Sequence, residues 1–251
     1  MSLFLNDNLY SEYDKVNQFF QKALYKDENA EEARKYLEGR KIGEDLINKF
    51  SIGWCPLESK INSRMNHLKG RIIFPIKDEY GDMLAFSGRF PLRTEQMTDA
   101  QKSKRWWNES FNKSFFFYGL DVALQDILRK KFVILVEGQV DVITCHKFGL
   151  TTAIGLMSHD LTPYHIAKLT RLTRNFILLL DGDDVGRKAS QKIKKQFSLM
   201  RSPGKNGKYT IIDINLRVKD HVYDPDEFLN KYGPKPIIKK IIEKKEKISK
   251  E

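Results

Sequence analysis

The chain has 251 residues, long enough for one large domain or two small ones with sizeable cores. Its hydrophobic content is 41%, no apolar run approaches the roughly 20 residues that cross a bilayer, and the start, MSLFLNDNLYSEYD, turns polar too soon for a secretory signal, so neither a membrane protein nor a secreted one is expected. The formal charge of +11 suits an anionic polymer, although a Lys-rich composition alone explains part of the excess.

The N-terminal stretch 1–30 reads as a helical lead-in, with Val16, Phe19, Phe20, Ala23 and Leu24 at three-to-four spacing. Residues 31–50 read as two short helices broken at Gly39, with Ala33, Tyr36 and Leu37 on one face and Leu46, Ile47 and Phe50 on the other. SIGWCP then turns into extended structure. Residues 70–90 predict a hairpin: RIIFPIKD, a turn at EYGD, and the return strand MLAFSGRF. Pro75 inside the first strand calls for an edge or a bulge. Residues 91–110 hold no regular pattern but carry Arg93, Lys102, Lys104 and Arg105 around Trp106 and Trp107. Basic residues interleaved with aromatics suit single-stranded nucleic acid, and two core anchors beneath a charged loop give the same spacing.

From 121 the pattern alternates. Helix 121–130, strand 132–136, helix 139–148, strand 151–157, helix 161–172, strand 176–180, helix 184–198 and strand 209–214 predict a parallel sheet with right-handed crossovers. A basic loop, 201–208, and a Lys-rich amphipathic helix from 234 complete the chain. Cys55 and Cys145 lie 90 positions apart without a CxxC, so no zinc ribbon or disulfide framework is expected, and a reducing cytoplasm is the default.

The stretch NFILLLDGDDVGRKA, residues 175–189, is the focus. Phe176–Leu180 read as a strand buried on both faces, which puts Asp181 at its carboxyl end, where open α/β sheets hold ligands. Two carboxylates about 4 Å apart repel by roughly 4 kcal/mol at an effective dielectric of about 20, and a divalent cation between them relieves this. Glu137 ends an earlier strand, Asp141 follows it by one helical turn, and Asp224 and Asp226 stand in DPDEFL after the last strand, so these carboxylates can share one crevice. Two other readings of DGDDV exist: an acidic turn capping the next helix, and the DxDx(T/V) pattern of haloacid-dehalogenase-like phosphotransferases.

Glu137-Gly138 in VEGQVD followed by Asp181 and Asp183 in DGDDVGR resembles the Toprim domain of primases, topoisomerases and related nucleases. RIIFPIKDEYGDMLAFSGR, RWWNES, FNKSFFFYGLDVA, ARKYLEGRKIGEDLINKFSIGWCP and DPDEFL resemble, in the family's own order, further motifs of the DnaG-type bacterial and phage primases. The resemblance runs from about 31 to 232, and the phosphotransferase reading accounts for none of those flanking blocks. It implies an α/β protein with an N-terminal mixed α/β subdomain (1–120), a Toprim domain of Rossmann-like parallel-sheet type (121–222), and a third acidic motif with a short C-terminal helix (223–251).

The function implied is metal-dependent synthesis of short RNA primers on single-stranded DNA from ribonucleoside triphosphates. Glu137, Asp181 and Asp183 would be catalytic, and Glu137, Asp141, Asp181, Asp183, Asp224 and Asp226 would hold Mg²⁺ or Mn²⁺. Arg71 and Arg89 match motif arginines, Arg105 and Lys113 match lysines along the template and nucleotide path, and Asn108 matches a motif asparagine. A hairpin salt bridge to Asp78, Glu79 or Asp82 is the other reading of the two arginines.

The family's zinc-ribbon and helicase-binding domains have no counterpart in this sequence, and Ser158 stands where the family has a glycine. A replicative helicase and a separate zinc-binding module are the implied partners, in a cytoplasm that would be the host's for a phage protein. Lys239, Lys240, Lys244, Lys245 and Lys247 either add template contacts or form a solvated face. A binding module that does not polymerise and a Toprim nuclease are the alternative functions.

Overall fold

The computed structural model describes residues 7–92, 97–99, 102, 104–157, 161–200 and 207–248. Arg93, Ser158 and most of the 201–208 loop lie outside the described residues. The chain forms two compact units, Met1–Phe111 and Asn112–Glu251.

In the first unit, α1 (Asp7–Lys26), α2 (Glu31–Gly39) and α3 (Glu44–Lys49) precede a four-stranded antiparallel sheet. The strands β1 (Gly53–Cys55), β2 (Arg71–Lys77), β3 (Met83–Arg89) and β4 (Trp106–Asn108) lie in that order. Phe20, Ala23 and Leu24 of α1 are buried as their spacing requires, whereas Phe19, one residue and about 100° round the helix from Phe20, is 44% exposed. Gly39 closes α2, and the α2 and α3 faces named above are buried, Phe50 included. Pro75 sits in β2 beyond the residues that β1 pairs, next to a register shift at Ile76/Lys77, so both devices that accommodate proline are present.

The 91–110 stretch departs from expectation, because Trp106–Asn108 pair with Ser87–Arg89 as the fourth strand. Its two tryptophans are half-buried sheet anchors: Trp106 lies against Phe74, and Trp107 stacks on His67 at 5.2 Å.

The second unit runs α4 (Leu120–Lys130), β5 (Val133–Val136), α5 (Gln139–Lys147), β6 (Ala153–Gly155), α6 (Pro163–Leu172), β7 (Asn175–Leu178), α7 (Asp184–Ser198) and β8 (Thr210–Asp213). A small hairpin follows, β9 (Arg217–Val218) and β10 (His221–Val222), then α8 (Pro225–Tyr232) and α9 (Lys235–Ile248). The hairpin was not foreseen, since two-residue strands leave no periodicity to read. The sheet is parallel with order β6-β5-β7-β8. Val133–Val136 of β5 and Phe176–Leu178 of β7 are buried to the last residue, as strands covered on both faces must be. Outside β6, Tyr118 and Gly155 exchange both backbone hydrogen bonds at 3.0 Å. The core joins Leu120, Ile127, Leu135, Ile154, Phe176 and Phe197 with their neighbours.

Candidate active site

The chain leaves β5 for β6 on one side, then crosses back to β7 on the other. The direction reverses between β5 and β7, and in such sheets the crevice outside the carboxyl ends at that point is where ligands sit. Glu137 follows β5 and Asp181 lies just beyond β7. They touch: the Asp181 amide donates to Glu137 Oε1 at 3.3 Å.

The DGD turn is held by close backbone approach. Gly186, in the first turn of α7, packs on Asp181 so tightly that a Cβ there would overlap the Asp181 carbonyl oxygen. Asp183 caps α7, its Oδ1 accepting the Gly186 amide at 2.8 Å, and is exposed. The capping geometry is therefore real, and it uses one carboxylate oxygen.

The β9–β10 hairpin brings the third acidic motif to this turn. The Gly182 amide donates to Tyr223 O, and the Tyr223 amide to Leu216 O, both at 3.0 Å. A Cβ on Gly182 would meet Leu216 O at 2.9 Å and Tyr223 O at 3.1 Å. Asp224 is the next residue; it caps α8, with Oδ1 accepting the Glu227 amide at 2.7 Å, and is exposed. Asp226 is 7% exposed, and its Oδ1 accepts from Thr144 Oγ1 at 2.5 Å and Asn230 Nδ2 at 2.9 Å. Asp141 bridges two helix starts: Oδ2 accepts the Gly138 amide at 3.1 Å and Oδ1 the Asp226 amide at 3.3 Å.

Burial raises the Asp141 carboxyl well above the usual carboxylate range, and the charges of Asp224, Asp181 and Asp226 raise it further, against the bond from Gly138. Asp141, Asp181, Asp224 and Asp226 thus form one electrostatically coupled group. They do not form the converged ligand set expected from the sequence: among the described residues no three His, Cys, Asp or Glu side chains are placed to hold a metal ion. The capping bonds at Asp183 and Asp224 and the inward bonds of Asp226 explain why. The donors are nonetheless all carboxylate oxygens under mutual repulsion, so a hard divalent cation fits them in charge and chemistry.

The basic candidates divide between the units. Arg71 is 5% exposed, and its guanidinium donates to the carbonyls of His67 (2.8 Å), Lys104 (2.9 Å) and Arg105 (3.2 Å) and stacks over Phe90 at 3.7 Å. Arg89 is 4% exposed, donates from Nε to Tyr36 Oη at 2.8 Å and lies over the Tyr36 and Trp106 rings. Arg105 is half-buried, and Asn108 Oδ1 accepts from Ser87 Oγ at 2.6 Å. Lys113, in the second unit, is half-buried in a single helical turn docked on α6. There His165 Nε2 donates to the carbonyls of Lys113 and Phe116 at 3.0 Å, and Thr162 Oγ1 donates to Ser114 O at 2.7 Å.

Sequence reading missed the residues that hold the candidates: Thr144, Tyr223, Gly182, Gly186 and His165. Gly182, inside DxD, and Gly186, just after it, carry a local signal; the other three act through partners distant in sequence.

Residues 57–124 match the family model described as DNA primase catalytic core, N-terminal domain, and residues 134–229 match the model described as Toprim-like. The DNA primase of Lactococcus lactis subsp. lactis is 32% identical over 240 residues, covering 84% of this chain and 35% of that protein. The DNA primase of Aquifex aeolicus is 27% identical over 256 residues, covering 91% of this chain and 47% of that one. The chain therefore spans about a third to a half of the length of these curated relatives. A solved DnaG primase catalytic domain bound to single-stranded DNA is similar with a TM-score of 0.76 at 26% identity, covering 94% of this chain and 78% of that one.

Proposed function

The chain belongs to the DnaG-type primases that carry a Toprim domain, and on that footing we propose that it synthesises short RNA primers on single-stranded DNA by ribonucleotidyl transfer. The observation that carries this reading is the coupled carboxylate group beyond the carboxyl ends of the neighbouring strands β5 and β7, completed by Asp224 through the Gly182–Tyr223 bond.

In this reading Asp181, Asp183 and Asp224 would hold Mg²⁺ or Mn²⁺, with Glu137 beside them and Asp141 and Asp226 behind them. When bound, the cation lowers the pKa of the attacking 3′-hydroxyl and neutralises charge on the incoming triphosphate. Glu137 relays the hydroxyl proton. Asp141 and Asp226 keep the two helix starts in register. Arg105, Asn108 and Lys113 contact template and nucleotide, and Arg71 and Arg89 fix the strands that carry the first two of these. Catalysis is assigned to 121–222, template handling to 1–120, and completion of the acidic set to 223–251. A replicative helicase and a zinc-binding module in another chain are the proposed partners for site selection, in the cytoplasm.

The test is a primer-synthesis assay on mixed-sequence single-stranded DNA with Mg²⁺ or Mn²⁺. Short RNA products that disappear in the Asp181→Ala, Asp183→Ala variant support the proposal. Silence of the parent protein on every template, with the candidate partners present, overturns it. Cleavage of DNA without added nucleotides would mark a nuclease instead.

A further inference from the structure

Positive charge is concentrated on two helices that the proposed chemistry leaves unused. Helix α7 carries five basic residues and one acidic one, and α9 carries six and two. That is +4 on each, so these 29 residues hold +8 of the chain's formal +11. Three of these lysines, one from α7 and two from α9, meet the end of the edge strand β8 and the residues just past it. Lys194 Nζ of α7 meets Asp213 Oδ2 at 2.7 Å. From α9, Lys240 Nζ donates to Asn215 O at 3.0 Å, and Lys244 Nζ donates to Asp213 O.

Three ammonium groups from two helices thus surround residues 213–215, with one carboxylate, that of Asp213 at the end of β8, among them. Like charges held this close favour an added anion. Each ammonium has three donors, and a single bond to the loop leaves donors for another acceptor. Beside the lysines a cleft of about 130 Å³, lined by Arg187, Ser190, Lys194 and Asn215, extends to Asp181. The basic surface is therefore continuous with the acidic turn.

We propose that the α7/α9 face binds the phosphodiester backbone of a nucleic acid, with Lys194, Lys240 and Lys244 as phosphate contacts. The inference rests on the primase reading only for the identity of the strand, template or product duplex, and it requires no catalysis.

Fluorescence anisotropy of labelled single-stranded DNA, and of a duplex of the same sequence, across a salt series tests it on the full chain. Replacing the three residues together (Lys194→Gln, Lys240→Gln, Lys244→Gln) is expected to weaken binding about tenfold at low salt. The slope of log affinity against log salt should become shallower by about 2 on single strands and nearly 3 on duplex. The ligand whose slope falls by its full three-contact value identifies the strand. The matching triple Lys→Arg variant should retain the parent slope. If the triple Gln variant does not fold, Lys240→Gln with Lys244→Gln, which keeps the Lys194–Asp213 pair, should still flatten the single-strand slope by about 1.4.

Unchanged slopes on both ligands in a folded variant overturn the proposal. So does selective loss of binding to phosphatidylserine vesicles with DNA binding intact, which would make the face a membrane contact. A chain that makes no primers yet shows the expected slope change would sink the catalytic reading and leave this one standing.

Discussion

The amide of Gly182 donates to the carbonyl oxygen of Tyr223 at 3.0 Å, and this bond joins the DGD turn to the segment that carries Asp224. Neither residue has a side chain that chemistry needs at that point. Their backbone contact nevertheless decides whether the acidic residues act as one group.

Gly182→Ala tests that dependence. Its Cβ would press on two carbonyl oxygens, at 2.9 Å and 3.1 Å. Overpacking of this kind costs about 1–3 kcal/mol. Urea unfolding should show a loss of that order, and primer yield should drop by more than the stability change explains.

Thr144 is fully buried and donates to Asp226 Oδ1. Thr144→Val keeps the volume and removes the donor, so one buried carboxylate oxygen loses a bond; the expected cost is about 1–3 kcal/mol. Thr144→Ser should restore most of it. The comparison is made by denaturant titration, with primer synthesis following the same order across the three proteins.

Arg71 separates scaffold from contact. Its carbonyl bonds need a fork of donors, which a lysine lacks. Arg71→Lys is expected to destabilise the chain by roughly 2 kcal/mol, in the range of charge-assisted bonds. The salt slope of single-strand binding should stay at the parent value. A slope shallower by about 0.7 with unchanged stability would instead make Arg71 a phosphate contact.

His165 gives a pH prediction. Burial lowers its pKa below the usual imidazole value, the nearby Lys168 acts in the same direction, and bonds to the carbonyls of Phe116 and Lys113 oppose them. Its Nδ1 accepts the Thr162 amide at 3.3 Å, so the neutral ring is the form that fits. The folded protein then binds fewer protons than the unfolded chain. Stability linked to this residue is complete above the ordinary histidine value of about 6.5 and is lost as pH falls through the lowered folded value. Urea midpoints at about pH 7.5 and 5.5 should fall more for the parent than for His165→Gln, with the turn that carries Lys113 loosening first.

Much of this architecture is legible in the sequence for a physical reason. Parallel strands covered on both faces must be continuously apolar, so Val133–Val136 and Phe176–Leu180 stand out, and the acidic residues after them mark the crevice. Trp106–Asn108 did not stand out, because a strand so short within a charged stretch shows no alternation. Residue type also fails to report direction. Arg71 and Arg89 read as nucleic-acid contacts or hairpin ion pairs, yet they are buried and bond to groups of their own unit. The Thr144–Asp226 pair spans 82 positions, and no local pattern anticipates it.

Groups of the same chain bond at each margin of the parallel sheet. Tyr118 bonds to Gly155 outside β6, and just past β8 the ammonium groups of Lys240 and Lys244 cover the carbonyls of Asn215 and Asp213. An uncovered margin is a template on which a second chain can add a strand. The lysines proposed to hold phosphate would therefore also guard against self-association. Variants that neutralise them should be checked for aggregation by light scattering before any loss of binding is ascribed to charge alone.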